Sequence, residues 1–130
     1  MRKILVRALI AISLMGFFSQ VLVAQDETYV PALKAVAEIV ISMNHFPSDA
    51  DKETLAKMAA NETLPQSIRD MATTIINISH AANDEGKEAM ARIQSNEDAP
   101  DRAKILAGMI ANFNHKLNDG DKTSLAQLFP

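Results

Sequence analysis

The sequence predicts an all-α fold, a short right-handed stack of about six helices of the α-solenoid type, on three observations. The chain repeats itself with a period of 35 residues. Apolar residues within each unit recur at i, i+3 and i+7, the period of a helix and not the alternation of a strand. Only four glycines are present, and no β-branched or aromatic run lies between turn signals.

The repeat is clearest when residues 56–87 are laid on 91–122, where eleven of 32 pairs are identical. Ordinary composition would give roughly two. Pro65/Pro100, Ile75/Ile110, His80/His115 and Asn83/Asn118 are among them. The same shift reaches back through Leu33/Ile68/Ala103, Val36/Met71/Leu106 and Val40/Ile75/Ile110. All three histidines, His45, His80 and His115, fall on it.

Each unit reads as a longer and a shorter helix, the units covering about 31–60, 66–94 and 101–128. The longer helices are expected at about 31–45, 66–80 and 101–116. Pro31, Pro65 and Pro100 stand at their starts, where a missing N–H costs nothing. The shorter ones are expected at about 51–60, 85–94 and 121–128, after Ser48-Asp49, Asn83-Asp84 and Asn118-Asp119, which are N-cap residue types. Polar turns at 61–64 and 96–99 close on proline. One amphipathic pair cannot bury its own apolar stripe, whereas stacked copies can.

The run Leu55-Ala56-Lys57-Met58-Ala59-Ala60-Asn61-Glu62, then Pro65 and Ile68-Arg69-Asp70-Met71-Ala72, resembles a HEAT repeat. Ala103-Lys104-Ile105-Leu106-Ala107 echoes it with lysine for arginine, and the likeness covers about 75 residues. The resemblance implies a stacked helical scaffold that binds other proteins. Two departures stand out: residues 25 onward open with a second-type helix, and the units are too few for a long concave surface.

Residues 1–24 have the order of a cleavable export signal. Arg2, Lys3 and Arg7 precede an uncharged run from Ala8 to Phe18, and Val21-Leu22-Val23-Ala24 offers a small residue at the cut. That run of about eleven residues is short against the roughly twenty of a spanning helix. The expectation is cleavage after Ala24 and a periplasmic or secreted domain over 25–130, without a stable membrane anchor. The remainder carries 10 basic and 16 acidic residues, a net charge of −6. Such a balance argues against nucleic-acid binding, where phosphate contacts supply most of the affinity. With no cysteine, disulfides, thiolate sites and thiol catalysis are excluded.

No phosphate loop, nucleophile elbow or paired metal motif is found, so no enzyme activity and no cofactor are expected. The histidines are the sharpest candidates. Equivalent positions in neighbouring stacked helices lie about 8–10 Å apart. Two adjacent imidazoles could then share an ion at about 2.0–2.1 Å from each nitrogen. In an open row the third is out of reach. The expectation is a structural column, each histidine closing the last turn of a longer helix. A metal or small-ligand carrier on His45, His80 and His115 is the alternative.

Asp49, Asp84 and Asp119, four residues beyond each histidine, are expected to cap the next helix. Ser42, Asn77 and Asn112, three residues before it, are expected to bond from unit to unit, as a buried amide must find partners. Met58, Met71, Met90 and Met109 read as core filler. Lys34, Arg69 and Lys104, with Lys52, Lys87 and Lys122, read as solvated faces paired with acids. The last helix has no following helix to cover Leu125, Leu128 and Phe129. That apolar end is expected to meet a second copy or a partner protein, unless Phe129 folds back beside Ile105 and Met109.

Overall fold

The computed structural model describes residues 29–130. The expected export signal, residues 1–24, lies outside them. The described chain is a bundle of six helices in which no strand occurs, only isolated bridges. Helix α1 is described over 29–42. It is followed by α2 (Asp49–Ala60), α3 (Gln66–Ile76), α4 (Asp84–Ser95), α5 (Asp101–Ala111) and α6 (Asp119–Leu128).

The core follows from the apolar spacing. Leu33, Val36, Ala37 and Val40 on α1 are buried, as are Ile68, Met71, Ala72 and Ile75 on α3 and Ala103, Leu106, Ala107 and Ile110 on α5. Each set is i, i+3, i+4, i+7, one stripe of a helix. Of the partner helices, α4 buries the same spacing, Gly86, Ala89, Met90 and Ile93, whereas α2 and α6 bury only Leu55 and Leu125. Met71 and Met90 lie in the core, and Met58 and Met109 pack against it, as filler should.

Polar residues set the ends. The N–H groups of Asp51, Gly86 and Asp121 donate to the side-chain oxygens of Ser48, Asn83 and Asn118. Those three are the caps, each worth about 1 kcal/mol. Asp49, Asp84 and Asp119 are not: each is the first helical residue, where its charge suits the helix dipole. Asn61 and Asn96 accept from the N–H groups of Thr63 and Asp98, closing the two polar turns. Pro65 and Pro100 stand one residue before their helices, with ψ of 148° at both.

Three expectations are corrected. Helices α1, α3 and α5 stop three residues or more before the histidines instead of running through them. The basic positions do not form a series of ion pairs. Among the described residues the one ion pair is Lys57–Glu53 at 3.1 Å, largely in water and worth little. Lys34, Arg69 and Lys104 are half-buried.

The C-terminal end is also not left open. Leu125 and Phe129 are buried in the chain's own core, Leu128 is half-buried, and the Phe129 N–H donates to Leu125 O. The Arg102 guanidinium lies 6.0 Å from the centre of the Phe129 ring, the outer limit of a cation–π contact. Leu125 and Phe129 are four residues apart, on the one face of α6 and its C-cap that joins the core. Accordingly, Leu125→Ala should cost about 2–5 kcal/mol. Urea unfolding should show a lower midpoint with an unchanged slope.

Candidate metal centre

Three short connections, residues 43–48, 77–83 and 112–118, join α1 to α2, α3 to α4 and α5 to α6. Each carries one pattern: a buried apolar residue, a polar one, histidine, a variable one, then a second buried residue. The buried pairs are Met43 and Pro47, Ile78 and Ala82, and Phe113 and Leu117. Anchored at both flanks, each connection must reverse direction over the residues between, and the histidine takes up the reversal. His45, His80 and His115 have φ of 69°, 72° and 65°. They are the only non-glycine residues in the left-handed region among those described. Histidine enters that region more readily than most side chains, yet each such residue costs about 1–3 kcal/mol.

The cost is offset by a closed ring of backbone hydrogen bonds. The His45 N–H donates to His115 O at 2.5 Å, the His115 N–H to His80 O at 2.6 Å, and the His80 N–H to His45 O at 2.7 Å. Every histidine thus gives one bond and takes one. A further bridge pairs Ala81 with Asn114. The ring joins the first connection to the third, which an open row of units forbids.

Above this ring the imidazoles converge. Their centres form a nearly equilateral triangle with sides of 5.0–5.1 Å. Their ligand nitrogens lie within 4.8 Å of one another. Three points at that spacing sit about 2.8 Å from a common centre, against the 2.0–2.1 Å of a zinc–imidazole bond. Each ring needs to close by about 0.7 Å, a modest side-chain rotation at an open site. His80 and His115 are exposed and His45 is half-buried, so water reaches the cluster.

One ring already has a polar neighbour. Asn114 Oδ1 lies 2.6 Å from His115 Nδ1. In the tautomer that donates from Nδ1 to this amide oxygen, Nε2 is the nitrogen left with a lone pair for an ion. An orienting bond of this kind is common behind metal-bound histidines.

The structure therefore brings together the three histidines that an open row would have kept apart. It does not bring the aspartates in. Among the described residues this is the one group of three or more histidines and carboxylates placed to share an ion, and it contains no carboxylate. Ser42, Asn77 and Asn112 are exposed and make no bond between units. Ser42 donates to Ile39 O and Asn77 to Thr73 O, each within its own helix. A cleft of about 190 Å³ between α3 and α4, with Asp70, Asn77, Glu85 and Arg92 on its walls, is wide open and gathers no comparable set. Asn114 is a functional candidate that sequence reasoning passed over. Its only signal was its place next to a repeat-matched histidine.

Comparison with known protein families, with characterised proteins and with solved structures gives no match for this chain.

The left-handed backbone at residue 80 can be tested apart from its imidazole. His80→Gly, free to adopt that conformation, should shift unfolding stability by no more than about 1 kcal/mol. His80→Val should cost about 1–3 kcal/mol, because a β-branched residue is a true outlier there. Thermal melts of the two metal-free variants make the comparison.

Proposed function

We propose that this protein binds one divalent transition-metal ion through His45, His80 and His115, and acts as a metal-binding or metal-carrying protein rather than an enzyme. The observation that carries this reading is the convergence of three imidazoles from connections 35 residues apart. Each sits on a left-handed backbone that the buried flanks of its connection require, but that reversal does not call for an imidazole, and the side chains of His80 and His115 are exposed. Strain of that kind gathers at functional sites. Three neutral nitrogen donors suit zinc, copper or nickel and not calcium or magnesium. The charged form of imidazole cannot ligate, so binding should weaken in acid as protons compete.

Export is part of the proposal. It is supported by the order of charge, apolar run and small residue over 1–24. Among the described residues no helix is long and apolar enough to cross a membrane. The mass of protein recovered from the cell envelope should match a chain beginning at Gln25. An intact Met1–Pro130 species would mean the segment is retained as an anchor.

A second reading, an adaptor that binds another protein through stacked helical hairpins, draws on the 35-residue repeat. One observation favours it. Phe46, beside His45, is 58% exposed, the most open large apolar side chain among the described residues. A partner would on this reading dock at the histidine-bearing end rather than at Leu125, Leu128 and Phe129.

Protein prepared without a histidine tag should bind one zinc or nickel ion per chain. At free metal one hundred times Kd, its stability should rise by about 2.7 kcal/mol. His80→Asn should abolish the rise while leaving the metal-free melt within about 0.5 kcal/mol, as for other exposed positions. Asn114→Ala should keep the stoichiometry but weaken binding about 10–100-fold. A melt unaffected by zinc, nickel and copper would reject the reading.

A further inference from the structure

Resting on the metal-binding reading, we propose that an ion held by the three histidines keeps one exchangeable coordination position, open to water, that takes a small anion. The count of donors is the first ground. A tetrahedral ion needs four ligands, and sites with three protein donors leave the fourth place to water or to an incoming group.

Among the described residues no carboxylate or further imidazole belongs to the group or is placed to close that position. Asp49, Asp84 and Asp119, four residues on from each histidine, are the first residues of α2, α4 and α6 and stand outside the group. The carbonyl oxygens of His45, His80 and His115 each already accept a ring hydrogen bond. The immediate neighbours of the histidines are Asn44, Phe46, Ser79, Ala81, Asn114 and Lys116, none of them acidic. The apolar anchors Met43, Ile78 and Phe113 are buried on the core side, whereas His80 and His115 are exposed. The vacant position therefore points outward.

Charge selects what fills it. Three neutral imidazoles leave the full double charge of the ion in place, where a cysteine or carboxylate ligand would have reduced it. Lys116, next to His115 in the sequence and exposed, is the one basic residue directly flanking the three histidines. An anion, or a bound water that loses its proton to become hydroxide, is the ligand such a site favours.

Cobalt(II) and azide provide the test. The tag-free protein should take up one cobalt ion and display visible absorption bands. Azide should shift those bands in a saturable, one-to-one manner. Lys116→Glu, which replaces the flanking base with a carboxylate, should weaken azide binding several-fold while cobalt uptake is retained. Cobalt that binds with bands indifferent to azide would mean a closed fourth position; the inference would fail while the metal-binding reading stood. No cobalt uptake at all would overturn both.

Discussion

The three hydrogen bonds that run from His45 to His115, from His115 to His80 and from His80 back to His45 are the constraint on which this molecule turns. Each bond alone is ordinary, with a net worth of about 1 kcal/mol. Their cyclic order is what matters. It fixes the ends of α1, α3 and α5 at one point, and so decides that their apolar stripes face a common core. It also holds three residues in a conformation they would otherwise leave. Without the ring, the left-handed residues would relax and the helix pairs would be free to fan out. With it, the imidazoles are brought together whether or not anything binds to them.

Much of the helical content was legible because it is local. The spacing of Leu33, Val36 and Val40, and its echoes at Ile68 and Ala103, marked the buried faces correctly. Ser48, Asn83 and Asn118 marked helix starts to within about two residues. The ends of α1, α3 and α5 were misjudged for an identifiable reason. Met43 and Pro47, or Ile78 and Ala82, are four apart, as neighbours on a helix are, so the apolar period ran on through a reversal that has no helix in it. Left-handed backbone leaves no mark in apolar periodicity, and histidine is not among the usual signals for it.

The site was half legible. The 35-residue spacing singled out His45, His80 and His115 together, yet the distance argument assumed that successive units continue in a row. Whether three units form a row or a ring depends on the small rotation between neighbours, which sums long-range packing terms that no local pattern encodes. The same blindness made Leu125 and Phe129 look exposed. Both lie on the face of α6 that joins the common core, so no following unit is needed to bury them.

The link between His45 and His115 spans 70 residues, more than half of the chain. Contacts at such separation form late, after the loop-closure entropy has been met. A chain crossing a membrane or leaving a ribosome amino end first presents one imidazole, then two, and completes the triangle only when nearly all of it has emerged. The cluster therefore belongs to the finished protein alone. On the metal-binding reading proposed above, a growing chain would hold no such trap, and the site would meet the ions of the compartment in which residue 115 finally docks.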